Sequence, residues 1–330
     1  MPQQTIRRLP DDYGIIAFMD GLFITARQTV VLFMLMAFGF GAGKFRILDA
    51  PSVKRLADFV LVIVTPCLMV TSFQRPFDSA VLVGVAWAFA AAVFTHLTSI
   101  AFARLAVHDR DAARERVLRF ATVFSNAGFM GFPLEYALLG PEGVFYGSVY
   151  VVVFHLLCWT YGVWEIKGGF GGESPRKAFV NPGLVGVAIG LPFFLLSVKL
   201  PQIVAEPVKA IGDMNTSLSM VVLGFYLSGA RFAAAFSASG TYVTLALRHI
   251  VVPAVLTAVM LLVPGIDPTV RMAAVIPAAA PVGASVAMFA VRYGGDGEFP
   301  AALVAVSTVF SIVTMPIVIG FAKTFFGGMS

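Results

Sequence analysis

Two stretches decide the fold of this chain: Ser125-Asn-Ala-Gly-Phe-Met-Gly-Phe-Pro133 and Pro277-Ala-Ala-Ala-Pro-Val-Gly-Ala-Ser285. Each lies inside a long apolar run and interrupts it. Proline removes a backbone donor and clashes with the carbonyl four residues earlier, while glycine adds conformational freedom. In a bilayer such breaks persist only where they are buried in protein or line a cavity. The alternative is a pair of proline kinks without a functional role.

The composition around these stretches indicates a membrane protein. Of the 330 residues, 58% are hydrophobic and 12% are charged, whereas soluble domains carry roughly 25% charged residues. These charges are too few to cover a water-facing surface, so lipid must solvate much of the chain. The net charge is +5, and the basic residues are spread over short loops. They form no basic patch, so we predict no nucleic-acid partner. With two cysteines in apolar runs, we predict neither a metal site nor a cofactor.

Ten apolar segments are long enough, at about 20 residues each, to cross a bilayer. We expect them to be helices, because an open strand edge in hydrocarbon leaves backbone groups unpaired. Numbered 1 to 10, the segments are Gly21–Gly43, Ser52–Phe73, Ala80–Leu105, Val117–Leu139, Gly143–Trp164, Pro182–Leu200, Val208–Ala230, Tyr242–Val263, Thr269–Tyr293 and Phe299–Phe325.

A polar, glycine-rich stretch divides these segments into two sets of five. Because five is odd, the second set must enter the membrane from the opposite side, which is the topology of an inverted repeat. The two breaks fall in segments 4 and 9, at matching positions of the two halves. We therefore divide the chain into an N-terminal extramembrane segment (1–20), a first repeat (21–165), a cytoplasmic linker (166–181) and a second repeat (182–330).

The lysine and arginine residues predict the orientation. Fifteen of the 23 lie in the odd-numbered loops and the adjoining helix ends, against eight on the opposite side. The odd-numbered loops should therefore face the cytoplasm, with both termini in the periplasm. This count places Arg248 at a cytoplasmic helix end and leaves no cation in the middle of a segment.

The motifs of several segments resemble one known family. The stretch Asn126–Pro133 resembles the interrupted fourth span of the auxin efflux carrier family, which includes plant PIN-type carriers and many bacterial members. Asn181-Pro182 through Leu191 resembles the opening of that family's sixth span. The segment from Val208 to Leu227 resembles its seventh span, and Pro281 through Tyr293 the end of its ninth. The likeness covers most of the chain in the same order.

The resemblance implies an all-α integral membrane protein of ten transmembrane helices in two inverted five-helix repeats, with crossed, broken helices 4 and 9. This is the crossover fold of bile-acid symporters and sodium/proton antiporters. Segments 1, 2, 6 and 7 would form a scaffold, often dimeric, and segments 3, 4, 5, 8, 9 and 10 a mobile transport domain. Gly39, Gly41 and Gly43 in segment 1 fit close helix packing. We expect a homodimer in a bacterial inner membrane.

We predict that the substrate binds where the two broken helices meet. An unpaired amide in hydrocarbon costs on the order of several kcal/mol, so Asn126 should face a wet cavity or freed backbone groups. The half-helix N-termini beyond each break carry partial positive charge, which suits an anion. Segment 9 lacks the amide or carboxylate that a sodium site built from side chains would use. The predicted substrate-binding residues are Ser125, Asn126, Gly128, Pro133, Pro281 and Ser285.

Four further residues are candidates for ion coupling or gating: Asp58, Glu135, His155 and Asp213. Each also has a structural interpretation. Asp58 fits a carboxylate at the cytoplasmic edge that pairs with neighbours on its own helix. Glu135 fits a satisfied carboxylate at a helix end, His155 a hydrogen-bonded packing residue, and Asp213 a polar contact between helices.

The function that these features predict is secondary transport of a small organic anion by elevator-type alternating access. The resemblance implies a monocarboxylate or dicarboxylate, either like malate and malonate or like the indole carboxylate of plant members. Alternatives are an ion-coupled symporter of a bile-acid-like or other amphipathic anion, and a channel or sensor on the same fold. We predict no enzyme and no catalytic residue, because the sequence shows neither a convergent acid, base or metal group nor a Walker motif.

Overall fold

The computed structural model of the protein describes residues 11–169, 182–293, 295 and 297–327. Most of the predicted linker, from residue 170 to residue 181, lies outside the described residues. Within them the regular structure is helical. Five helical stretches are long and apolar enough to cross a membrane: Ala26–Lys44, Val81–Ala106, Ala127–Lys167, Gly240–Leu262 and Glu298–Phe326.

The helices are named here by the apolar segment in or beside which they lie. Segments 2, 4, 5 and 8 each contain a π-helical turn. In segments 1 to 3 the helices are Asp11–Lys44 (segment 1), Ala50–Phe59, Val60–Val64 (π) and Thr65–Ser72 (segment 2), and Ser79–Ala106 (segment 3). In segments 4 and 5 they are Ala112–Val123, Ala127–Gly131 (π), Phe132–Leu157, which spans both segments, Cys158–Gly162 (π) and Val163–Lys167. From segment 6 onward they are Pro182–Leu195 (segment 6), Gln202–Asp213 and Asn215–Gly229 (segment 7), Phe232–Ala235 (after segment 7), Ser239–Ala246, Leu247–Val251 (π) and Val252–Leu262 (segment 8), Pro268–Ala279 and Ser285–Arg292 (segment 9), and Glu298–Gly327 (segment 10).

The first helix begins at Asp11, ten residues before the predicted start of segment 1. Segments 4 and 5 are separated by a turn at Gly140, whose φ of 67° falls in the left-handed region that favours glycine. Asp111 caps the first helix of segment 4, and the backbone N–H groups that it accepts lower the pKa of Asp111.

Segments 1, 2, 6 and 7 contact one another, and we call them group A. Segment 1 lies along the helix Asn215–Gly229 of segment 7. A Cβ on Gly39 would overlap the Val221 carbonyl, and a Cβ on Gly224 would overlap the Met36 carbonyl. The two backbones therefore touch, as the small residues of segment 1 predict.

Segments 3, 4, 5, 8, 9 and 10 form a second set, group B, around the first helix of segment 9. The residues of that helix from Val270 to Ala279 are all buried. The two groups also meet: segment 1 lies along segment 10, where a Cβ on Gly320 would lie 3.0 Å from the Leu22 Cα. The core of the molecule therefore lies where segments 4 and 9 are interrupted.

Contacts between loops sort into two ends of the molecule. At one end Arg75, after segment 2, binds Glu142, after segment 4, at 3.1 Å. At the other end Arg231, after segment 7, binds Glu298, after segment 9, at 3.1 Å. In the first pair an even-numbered loop contacts an even-numbered loop, and in the second an odd-numbered loop contacts an odd-numbered one. Segments that cross the bundle alternately up and down require this pattern.

Candidate functional site

The two interrupted segments meet in an antiparallel bridge between Ser125 and Val282. The Asn126 N–H donates to the Pro281 carbonyl at 2.7 Å, and the Gly283 N–H donates to the Phe124 carbonyl at 3.0 Å. Each extended piece thereby satisfies backbone groups of the other, which would otherwise be unpaired in the middle of the bundle. We call this contact the bridge.

Proline chemistry explains where the helices stop. Ala280 has φ −62° and ψ 149°, the extended conformation that a residue before proline prefers, and Pro281 has no N–H to continue the helix. In segment 4 the helix resumes with the π-helical turn Ala127–Gly131. Pro133 follows just after this turn, in the helix that continues from it, and cannot donate to the carbonyls of the turn because it lacks an N–H.

A fully buried arginine lies beside the bridge. Arg248, in the π-helical turn of segment 8, is 0% exposed. Its Nη1 donates to the Thr122 and Val123 carbonyls at 3.1 and 3.3 Å, and its Nη2 donates to the Ala278 carbonyl. These carbonyls end the helices before the two breaks, where the dipole is negative and intrahelical donors are lacking. One guanidinium therefore caps both half-helices.

This arginine corrects the sequence analysis in two respects. Arg248 is not at a cytoplasmic helix end, and the interior does hold a cation. Without Arg248 the bias of lysine and arginine residues becomes fourteen to eight, in the same direction. The N-terminal half-helices are therefore not the sole positive groups that an anion would meet.

His249, next to Arg248, anchors the opposite side of the bridge through a chain of hydrogen bonds. The Val282 N–H donates to Ser307 Oγ at 2.8 Å, and Ser307 Oγ lies 2.7 Å from His249 Nε2. His249 Nδ1 lies 2.9 Å from Thr314 Oγ1, which donates to the Phe310 carbonyl. The chain is continuous when Ser307 donates to Nε2 and the imidazole carries its proton on Nδ1. Segment 10 thus accepts a hydrogen bond from the Val282 N–H, which segment 4 leaves unpaired.

Two buried polar atoms at the bridge have no hydrogen-bond partner within the described residues: Asn126 Nδ2 and Ser285 Oγ. The Tyr150 hydroxyl lies within hydrogen-bonding reach of the Ser125 hydroxyl and the Arg248 guanidinium. Buried polar groups in proteins are nearly always paired, so unpaired ones indicate a ligand or water. Asn126 Nδ2 can only donate, and the Ser285 hydroxyl can donate or accept. With the cation of Arg248 beside them, the group that they fit is an acceptor, as a carboxylate is.

Four of the predicted substrate residues lie together at this point. Ser125, Asn126 and Pro281 form the bridge itself. Ser285 adjoins it, because a Cβ on Gly283 would lie 2.8 Å from the Ser125 carbonyl oxygen and 3.0 Å from Ser285 Oγ.

The other two predicted substrate residues lie further along segment 4. Gly128 is half-buried and has open space where a Cβ would point. The π-helical turn that contains it packs against segment 7 and against the first helix of segment 9. Pro133 is buried beyond that turn and shapes the backbone without adding a polar contact.

The candidate coupling residues are not brought together. Asp58 is exposed, and His155 is half-buried with its ring against Phe154. Asp213 is exposed and pairs with Lys209 at 2.5 Å. Both members of that pair line a small cavity between group A and the turn after segment 4.

Glu135 is buried, and neither of its carboxylate oxygens has a hydrogen-bond donor in the described ranges. The interpretation of Glu135 as a satisfied helix-end carboxylate is therefore wrong. The helix has already begun before this position, with the π-helical turn Ala127–Gly131, so the free N–H groups of the helix start lie upstream of Glu135. Within the same ranges no set of three or more His, Cys, Asp or Glu side chains is placed to hold a metal ion.

Sequence reasoning missed Arg248, His249 and Tyr150. The signal that could have found them is the pair Arg248-His249 inside an otherwise apolar segment, since ionisable residues within membrane helices mark functional sites. The π-helical turn adds to this signal, because such turns occur frequently at functional sites.

This chain is similar to known proteins over the region that contains the bridge and Arg248. The family described as membrane transport protein matches residues 25–319. A protein named uncharacterized transporter, from Methanothermobacter thermautotrophicus, is 24% identical over 307 residues, which are 90% of this chain and 98% of that relative. Both matches include the two breaks and the buried arginine.

Proposed function

We propose that this chain, which belongs to the membrane transport protein family, is a secondary carrier of a small organic anion that binds at the bridge. The family match confirms the resemblance to auxin efflux carriers that the motif Asn126–Pro133 predicts. It also supports a multi-pass membrane protein that transports. The substrate class and the mechanism are our inference from the site.

The observation that carries the proposal is a pair of unpaired polar atoms beside a fixed cation. Asn126 Nδ2 and Ser285 Oγ offer hydrogen bonds, and Arg248 supplies a positive charge. A carboxylate would satisfy donors that are otherwise costly to bury. An organic cation would be repelled by Arg248.

Arg248 also favours a carrier that works without sodium. Backbone carbonyls at the ends of unwound helices are the groups with which transporters coordinate Na⁺. Here the guanidinium of Arg248 binds three such carbonyls, from Thr122, Val123 and Ala278. We therefore propose that the chain's own cation takes the place of a metal ion, which argues against the sodium-coupled alternative.

For the architecture we propose ten transmembrane helices in two inverted repeats, with both termini periplasmic in a bacterial inner membrane. The division of the loops into two ends and the matching breaks of segments 4 and 9 support this. Group A would be the scaffold of a homodimer, and group B the transport domain that carries the bridge across the bilayer. The contact of Leu22 with Gly320 would then slide during transport.

Counterflow in proteoliposomes tests the proposal. Purified protein is reconstituted into vesicles preloaded with malate, malonate or indole-3-acetate, and labelled anion is added outside. We expect saturable uptake with a transient overshoot above equilibrium for at least one anion, without added Na⁺. Uptake that rises linearly with concentration and shows no overshoot would favour the channel alternative and contradict a carrier.

A further inference from the structure

Glu135 differs from the other coupling candidates in its surroundings. It lies on the helix that follows the break in segment 4, is 1% exposed, and has two oxygens without a donor in the described part of the chain. Asp58 and Asp213 are exposed, and His155 is half-buried. A buried carboxylate without a partner is costly as an ion, and such a group takes up a proton instead.

The place of this carboxyl group is built into the packing of segment 5. Gly143 and Gly147 have the spacing of a GxxxG motif, which lets two helix backbones approach closely. A Cβ on Gly147 would overlap both Glu135 oxygens, and a Cβ on Gly143 would lie 2.9 Å from the Glu135 carbonyl oxygen. The missing side chain at residue 147 therefore leaves the room that the carboxyl group occupies.

No side chain on the described helices packed against Glu135 donates a hydrogen bond to its carboxylate. Tyr150 interacts electrostatically with Glu135 and more strongly with Arg248. The other titratable and charged side chains on the described helices packed against the Glu135 helix include Cys67 on segment 2, His96 and Arg104 on segment 3, His155 on segment 5, Tyr226 on segment 7, Arg271 on segment 9, and Arg27 and Lys44 on segment 1.

Of these, His96 binds the Ala92 carbonyl at 2.7 Å, Arg271 binds the Val263 carbonyl at 3.0 Å and Arg104 binds Glu165 at 2.7 Å.

We propose that Glu135 binds the proton that is transported together with the anion; this rests on the proposed function above. With Arg248 as a fixed cation, an ionised Glu135 makes the empty site neutral. When a monoanion binds, a protonated Glu135 keeps the loaded site neutral. Moving one net charge across the membrane costs roughly 2.3 kcal/mol per 100 mV, and desolvation adds to this. The two neutral states therefore predict that one proton is carried with each monoanion.

The first test reads the proton on Glu135 directly. Infrared difference spectroscopy of the full-length protein in lipid detects the carbonyl stretch of a protonated carboxylic acid. We expect a band that grows in the wild type as the pH falls, is absent in Glu135→Gln, and is retained in Glu142→Gln. Glu142 is the matched control, because it is a glutamate just beyond the turn at Gly140 that is exposed and paired with Arg75. Identical spectra for all three proteins at every pH would overturn the proposal.

The second test separates exchange from net transport. The amide of Glu135→Gln mimics the protonated, loaded state but cannot release a proton. The empty site of this variant keeps the positive charge of Arg248. The empty carrier therefore cannot return across the membrane. We expect Glu135→Gln to retain malate, malonate or indole-3-acetate counterflow within a few-fold of wild type. Net uptake driven by an inward proton gradient should fall at least tenfold, and Glu142→Gln should behave as wild type.

The outcomes distinguish this inference from the proposed function. Wild-type counterflow with net uptake that ignores the proton gradient overturns proton coupling and leaves the carrier standing. Full gradient-driven uptake by Glu135→Gln overturns the role of Glu135. A wild type without counterflow contradicts the proposed function, and the infrared band then decides by itself whether Glu135 holds a proton.

Discussion

Replacing Arg248 by methionine should destabilise the protein and abolish anion binding together. The substitution keeps an apolar stem of similar reach and removes the guanidinium, which donates to the Thr122, Val123 and Ala278 carbonyls. Hydrogen bonds from a charged donor contribute about 1.5–3 kcal/mol each. Removing one side of a buried charged contact costs about 3–5 kcal/mol, because the partners stay buried and unpaired. We take that range as the loss in free energy of unfolding.

The assay is thermal unfolding of purified protein in one detergent, followed by anion binding. A loss of about 3–5 kcal/mol should lower the melting temperature by on the order of 10 °C. Arg248→Lys should give an intermediate value, since an ammonium keeps the charge but not the planar fork that reaches three carbonyls. Anion affinity should fall at least tenfold in Arg248→Met, because the fixed charge of the site is gone.

Arg231→Met is the matched control for this experiment. Arg231 pairs with Glu298 at 3.1 Å, but its side chain is 77% exposed, and exposed ion pairs contribute about 0–1 kcal/mol. The control should melt and bind as wild type does. If Arg248→Met also melts and binds as wild type, the half-helix ends need no cation, and the electrostatic basis of the proposed site is wrong.

The remaining predictions concern packing, movement and topology. Gly224→Val should prevent segments 1 and 7 from meeting and strongly reduce folded yield, because a Cβ there overlaps the Met36 carbonyl; normal yield and melting would refute this contact. A disulfide between cysteines introduced at Leu22 and Gly320 should stop uptake but leave anion binding, whereas one between Thr122 and Thr244, whose hydroxyls lie 3.3 Å apart within group B, should permit both. Unaltered uptake after complete Leu22–Gly320 cross-linking would exclude the sliding of group B. A periplasm-dependent reporter at the C-terminus should be active, and activity of a cytoplasm-dependent reporter there would reverse the topology.

The fold was largely predictable because its determinants are local. Apolar runs of sufficient length predict the helices, and proline predicts where they stop: Pro281 removes a donor and holds Ala280 in an extended conformation. The resemblance to a known family supplied the crossing of the two breaks.

The site was predictable only in part because its chemistry depends on distant residues. Asn126 and Ser285 are visible as polar residues in the breaks. Arg248 is not, because its acceptors Thr122 and Ala278 are 126 and 30 residues away in sequence. An arginine in an apolar segment fits a snorkelling helix end equally well, and only the packed structure distinguishes the two. The unpaired state of Glu135 likewise depends on Gly147, twelve residues further on.

Anion binding by Asn126→Ala tests the central claim most directly. Affinity for the anion that shows counterflow is measured by calorimetry on wild type, Asn126→Ala and Ser99→Ala at matched melting temperatures. Ser99 is an equally buried polar residue, but it bonds within its own helix, to the Thr95 carbonyl at 2.7 Å. A lost hydrogen bond to a charged ligand is worth about 1.5–3 kcal/mol, or roughly ten- to a hundredfold in affinity. We predict that loss for Asn126→Ala alone; wild-type affinity in Asn126→Ala would show that the bridge is not where the anion binds.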